Sequence, residues 1–238
     1  MGSCGGGREK KNWPWTRDAS TLQERFTVLN ISVVYRGCGI PVAWRLIQAQ
    51  AEGEWRGHWE AMLEQLSGVV PKEWKVIVMA DRGLYAAWLY QAIVAQGWHP
   101  LLRVKEGLRI RATGEREFGT VGMRVQRRGR SWKGQGEWSE QGERMEGTLL
   151  VRWEKGYAEK LAVVTDLEEK EAEAAWYQMR FWIEDEYKDH KSGGWGWQHT
   201  KMTDPKRAER LWLAMAVAMH LAVLVGGEEE GRRARAAA

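Results

Sequence analysis

The stretch WKVIVMAD, residues 74–81, constrains the fold more than any other part of the chain. An unbroken apolar run of this length is the pattern of a strand covered on both faces. Its neighbours say what covers it. Upstream, EWRGHWEAMLEQL (54–66) sets Trp55, Trp59, Met62, Leu63 and Leu66 at helical spacing. Downstream, GLYAAWLYQAIVAQG (83–97) reads as a helix closed by Gly97, and WHPLLRVK (98–105) as another strand. Further upstream, two runs rich in β-branched and aromatic residues flank the turn signal RGCG within residues 25–47, which predicts a hairpin. Hairpin, helix, buried strand, helix, strand is an α/β order with an antiparallel start. The run also ends in Asp81. An unpaired structural acid at the end of a buried strand is costly, so Asp81 is a candidate functional acid.

After residue 105 the helical period disappears. Residues 106–147 contain nine glycines, and LRIR and VGMRVQRR alternate apolar with basic or polar residues, as half-buried strands do. Between Arg103 and Lys133 there are ten Lys or Arg against three Glu. This predicts a basic, β-rich insertion. GTLLVRWEKG and YAEKLAVVTDL then supply two more strands. Thr165 followed by Glu168 has the spacing of a capping box, which predicts a helix running from there toward Ser192. The segment LWLAMAVAMHLAVLV (211–225) is apolar but shorter than the ~20 residues of a membrane span. Asp204 and Pro205 before it suit an N-cap and first turn, and Gly226-Gly227 suits a stop, so a buried terminal helix and no membrane association are expected.

The net charge of +4 is compatible with nucleic acid without demanding it. Two cysteines, Cys4 and Cys38, exclude a disulfide scaffold or a thiolate zinc site and fit a reducing cytoplasm. His190 and His199 lack metal-binding spacing and read as structural or phosphate-adjacent.

Four acidic residues crowd the stretch YQMRFWIEDEYKDHKSGGWGW, residues 177–197. On an unbroken helix, Tyr177, Arg180, Glu184, Lys188 and Lys191 fall within about 80° of one another. Trp176, Ile183 and Tyr187 border that stripe and should face the core, while Asp185, Glu186 and Asp189 fall elsewhere. Glu184 is therefore the one acid in this stretch that shares a face with Tyr177, Arg180 and Lys191. A solvated ladder, Arg180–Glu184–Lys188, accounts for the same geometry at a few tenths of a kcal/mol per pair. Both readings stand on geometry alone.

The spacing Tyr-x2-Arg-x3-Glu-x6-Lys, met at Tyr177, Arg180, Glu184 and Lys191, resembles the YREK signature of insertion-sequence transposases with a DDE active site. VLNISVVYRGCGIPVAW, VMADRG, GYAEKLAVVTDL and DHKSGGWGWQHTKMTDPKRAERLWL resemble the same family, over roughly residues 18–225. The resemblance implies a ribonuclease-H-like fold: a mixed five-stranded sheet with flanking helices, and a β-rich insertion before the last catalytic helix. It implies core segments at 13–105 and 148–226 and the insertion at 106–147; a leader at 1–12 and a tail at 227–238 read as disordered. Asp18 in RDASTLQERFTVL, Asp81 and Glu184 would be the catalytic and metal-binding acids, holding two Mg2+ ions, with Mn2+ tolerated. Hard oxygen ligands suit such ions. Tyr177, Arg180 and Lys191 would contact DNA phosphates, and Trp132 and Trp138 in the insertion are candidates to stack on a flipped base. The implied activity is metal-dependent cleavage and strand transfer at element ends. Partners would be double-stranded DNA (end repeats and target) and a second copy in a homodimer, in a prokaryotic cytoplasm at the nucleoid. Relatives carry an N-terminal DNA-binding region, whereas seventeen residues precede Asp18 here. NWPWTRD, with Pro14, makes a poor first strand. The expectation is a truncated catalytic domain, and the alternative is an inactive remnant that still binds DNA.

Overall fold

The computed structural model describes the backbone of residues 12–22, 25–49, 55–140 and 142–236, and the side chains within 25–49, 55–138 and 142–229. The expected leader up to residue 11 lies outside the described residues. Three strands open the fold: β1 (Asn12–Leu22), β2 (Phe26–Tyr35) and β3 (Cys38–Gln48). The β2–β3 hairpin turns on Arg36 and Gly37, both at positive φ (50° and 78°). Two left-handed residues in a two-residue loop match the twist of the flanking strands, so RGCG turns where expected. Helix α1 (Trp55–Ser67), strand β4 (Lys75–Ala80), helix α2 (Ala87–Ala95) and strand β5 (His99–Arg103) follow in the expected order.

β1 forms despite Pro14. It pairs in parallel with β4, Pro14 opposite Ile77, while its ladder with β2 starts only at Trp15 opposite Val33. The missing N–H of proline thus falls outside the β2 ladder.

The chain continues through β6 (Arg109–Ala112), the short β7 (Gly119–Thr120), β8 (Arg130–Glu140), β9 (Glu143–Trp153) and β10 (Leu161–Thr165). All ten strands share one sheet in the order β3-β2-β1-β4-β5-β10-β9-β8-β6-β7. The first five, with β2 antiparallel to β1, and β4 and β5 parallel in series, are compatible with a ribonuclease-H-like fold. The expectation of a five-stranded sheet needs correction. The glycine-rich segment is built onto the β5 edge, because eleven-residue β9 pairs with β8 along its whole length and with β10 through Thr148–Arg152. Gly147 allows the close approach there: a Cβ would collide with the Thr165 carbonyl.

Alternation along β4 sorts the two layers. Val76, Val78 and Ala80 join the core under α1 and α2 with Trp59, Met62, Leu63, Leu89 and Ile93. Ile77 and Met79 point the other way, toward Leu101, Leu150, Val163 and Tyr177. That second face carries a 3-10 turn at Ala174–Arg180, helix α3 (Phe181–Lys188) and helix α4 (Pro205–Ala236). Burying both faces is what the apolar run 74–81 requires.

The last two helices depart from expectation. Thr165 opens no helix. Its hydroxyl accepts from the Leu167 N–H, and helical turns resume only at Ala174. Asp166 faces His99 at 3.0 Å. Asp204 does cap α4, accepting from the Arg207 N–H at 2.9 Å. Gly226-Gly227 does not stop α4: the part of the expected tail among the described residues is helical, as far as Ala236. Gly227 instead lies against the β2–β3 turn, where a Cβ would collide with the Arg36 guanidinium. Nor is α4 a buried helix. Ala208, Trp212, Met215 and Ala216 are buried, but Leu213, Val217, Leu221 and Val225 are more than half exposed. Among the described residues it is the one helix long and apolar enough to cross a membrane.

Candidate active site

β4 delivers Asp81 to the sheet end, in phase with Ile77 and Met79, and so beneath the 3-10 turn and α3. Tyr177 donates its hydroxyl to Asp81 Oδ1 at 3.0 Å. Arg180 Nη2 stands 3.6 Å from Asp81 Oδ2, and Arg103 Nη1 stands 3.6 Å from Oδ1. Burial alone would raise the Asp81 carboxyl. The Arg180 charge, the Arg82 backbone N–H, the Tyr177 hydroxyl and Arg103 together hold it below its ordinary value. Asp81 is thus ionised at neutral pH. Tyr177 is shifted the opposite way, by burial first and then by the Asp81 charge, and stays a proton donor.

Glu184 enters through the same arginine: Arg180 Nη1 donates to Glu184 Oε1 at 2.6 Å. One guanidinium, 11 % exposed in its side chain, therefore bridges two carboxylates that are 36 % and 43 % exposed. Tyr177 and Arg180 meet Asp81 together because the turn over 174–180 is 3-10, with three residues per turn, which eclipses positions i and i+3. The salt-bridge ladder exists only in its first half. Lys188 pairs with Asp185 at 2.8 Å.

Lys191 falls in a π turn, Asp189–Gly193, so the unbroken helix assumed for its position does not hold and its phase is shifted. Glu186, off the Glu184 stripe as expected, turns into the protein. It is 2 % exposed and accepts from Asn30 Nδ2 at 3.0 Å. α3 approaches β3 so closely that a Cβ on Gly39 would collide with the Glu186 carboxylate and the Ile183 side chain. His190 is structural, stacked on Trp212 at 4.7 Å with Nδ1 donating to the Glu186 carbonyl at 3.0 Å.

The side chain of Asp18 lies outside the described residues. Its backbone is opposite Asn30 of β2 and one step beyond the Arg17–Ala80 pair, level with Asp81 across the parallel ladder. Among the described residues no three metal-ligating side chains form a group. The donor chemistry of Asp81 and Glu184 nevertheless fits a hard divalent cation, since two carboxylates already share one cation, the Arg180 guanidinium.

The insertion aromatics separate. Trp138 is fully buried, donates Nε1–H to the Tyr85 hydroxyl at 2.8 Å and meets Tyr90 edge-on. It cannot stack on a base, because β8 turns it into the core opposite Met145. Trp132 is half-buried, with the Arg124 guanidinium 5.0 Å over its ring.

Three residues at the site were not expected: Arg82, Arg103 and Glu159. Glu159 Oε2 accepts from Arg103 at 3.0 Å and Arg82 at 3.3 Å. Arg103 and Glu159, together with Arg152, Tyr177, Arg180 and Glu184, border a cleft of about 450 Å³. Arg82 was visible beside Asp81 in VMADRG. Arg103 reaches the site only through the β4–β5 register, Ala80 opposite Leu102.

The sequence matches the transposase DDE domain family over residues 4–221. The match spans most of the chain, which therefore belongs to that family. The family's domains are those of DNA-binding, nucleic-acid-cleaving transposases that use divalent metal. No curated protein matches the chain.

Proposed function

We propose that this chain is a catalytic domain of the YREK-bearing insertion-sequence kind, which cleaves DNA strands at element ends and transfers them to a target. The observation that carries the reading is the convergence of Asp81, Tyr177, Arg180 and Glu184 at one end of the sheet. Asp18, Asp81 and Glu184 would hold the metal, Mg2+ with Mn2+ as substitute. Two such ions supply an activated water or 3′-hydroxyl and a steadied leaving oxygen.

The chain's own residues do the rest. Asp81 is kept ionised by its arginines, so its oxygens are available as ligands at neutral pH. Tyr177 fixes the Asp81 carboxylate through a hydroxyl that does not ionise. Arg180 holds the two acids in register while the site is free of DNA, and its guanidinium then turns to a backbone phosphate; Lys191 would contact a further phosphate. Arg103 and Arg82 extend the same cationic rim. Trp132 is the remaining insertion aromatic for base stacking. Segments 13–105 and 148–226 form the catalytic core and 106–147 the insertion. The protein works as a homodimer on paired ends, on DNA in a prokaryotic cytoplasm.

The test is nicking of a supercoiled plasmid carrying the element's ends, with Mg2+, for wild type, Asp18→Asn, Asp81→Asn and Glu184→Gln. Cleavage by wild type and none by the three variants is expected. If all four nick equally, the enzyme assignment fails. If none cleaves but all bind DNA, the domain is an inactive DNA-binding protein, the reading favoured by the arginine that neutralises both acids.

A further inference from the structure

The outer face of α4 has no described covering. Leu213, Val217, Leu221 and Val225 are each more than half exposed, and Leu224 is 39 % exposed. Monomeric soluble proteins rarely leave a contiguous apolar stripe of this kind uncovered. At 100° per residue, Arg210, Leu213, Val217, Leu221, Val225 and Glu228 all fall within about 120° of helix surface.

The order of these residues shows what fits the stripe. Placed antiparallel to a copy of itself and centred on Met219, α4 sets Arg210 opposite Glu228, Leu213 opposite Val225, and Val217 opposite Leu221. Every member of these three pairs is exposed. The stripe thus reads the same from both ends in size and is complementary in charge: basic before the apolar stretch, acidic after it. A two-fold interface requires this self-complementarity. A lipid surface does not, and would leave the Arg210–Glu228 pattern without a role.

We propose that α4 is a self-association surface, pairing antiparallel with α4 of a second copy about a two-fold axis near Met219. Apolar contact closes the centre, and an Arg210–Glu228 ion pair seals each end. The proposal gives the homodimer above a surface but rests on α4 alone, so it stands or falls separately from the DNA chemistry.

Sedimentation equilibrium of the full chain, without DNA, tests it. Wild type is expected to dimerise reversibly, and Val217→Glu to remain monomeric with an unchanged far-ultraviolet spectrum. Arg210→Glu, which sets glutamates opposite one another, should weaken the dimer by roughly tenfold, and so should Glu228→Arg. The double variant Arg210→Glu/Glu228→Arg should restore it, which nonspecific apolar stickiness would not do. A wild-type monomer at all concentrations, a dimer indifferent to Arg210→Glu, or co-sedimentation of the wild type with zwitterionic lipid vesicles in place of dimerisation would each overturn the proposal. Retained DNA binding and nicking in a monomeric wild type would leave the proposed DNA chemistry intact and remove the homodimer from it.

Discussion

Replacing Arg180 by methionine separates the structural from the catalytic role of the site. The guanidinium is nearly buried, yet both of its carboxylate partners are more than one-third exposed. Removing one member of a fully buried pair costs about 3–5 kcal/mol, while an exposed pair contributes about 0–1 kcal/mol. Water can reach Asp81 and Glu184 once the arginine is gone, so the loss should lie between, about 1–2 kcal/mol. In a domain of this size that lowers Tm by about 3–6 °C. The two acids are then left without their shared cation, and a divalent ion gains what the arginine had held. At a free metal concentration of about ten times Kd, linkage stabilises the folded state by about 1.4 kcal/mol, or roughly 3–5 °C. The assay is a thermal melt of wild type and Arg180→Met over a Mg2+ and Mn2+ series, with Arg180→Met/Asp81→Asn as control. The metal-induced shift should be larger in Arg180→Met than in wild type, and absent in the double variant. A shift of equal size in all three proteins would refute the idea that Arg180 occupies the place of the cation.

Other expectations follow from single contacts. Glu159→Gln releases Arg82 and Arg103 from their shared carboxylate, so duplex DNA should bind more tightly in fluorescence anisotropy, with a steeper salt dependence; unchanged affinity and slope would remove both arginines from the DNA surface. Trp138→Ala should destabilise the protein by about 3–5 kcal/mol in urea, as an emptied core site does, whereas Trp132→Ala should cost far less and act mainly on DNA binding. The folded His190 is shifted down, by burial first, against the Glu186 carbonyl. The unfolded chain therefore binds a proton near pH 6.5 that the folded one refuses, and stability falls as pH drops below about 6.5. His190→Phe, which keeps a ring against Trp212, should flatten urea-derived stability between about pH 7 and pH 5; an unaltered slope would place that acid sensitivity elsewhere.

Where local pattern and tertiary demand agree, the sequence is sufficient. The run 74–81 had to be buried on both faces, and β4 is covered by α1 and α2 on one side and by Leu167, Ala172 and the 3-10 turn on the other. Asp81 ends it, and Arg36-Gly37 turns the hairpin, because left-handed φ is a property of the turn itself. The grouping of Tyr177, Arg180 and Glu184 was likewise legible as a stripe, since residues three apart share a face in a 3-10 turn and residues four apart share one in an α-helix.

Register and packing decided the rest. Nothing local to β5 brings Arg103 to Asp81; the parallel ladder does. Nothing local says that β9 would pair on both edges and extend the sheet to ten strands, or that β8 would bury Trp138 fully and leave Trp132 half-buried. The helix expected from Thr165 was lost because residues 166–173 are held by contacts to other elements, among them Asp166 to His99 and Glu171 to Lys75. Glu186 is buried because Gly39 lacks a side chain 147 positions earlier in the chain. Sequence alone determined the order of elements, the strand that carries the site and the residues that share a face, because periodicity and turn chemistry act over a few neighbours. Which faces meet, which arginine neutralises which acid and which apolar stripe stays open were settled only by tertiary structure, because they depend on ladder register and close approach between segments far apart in the chain.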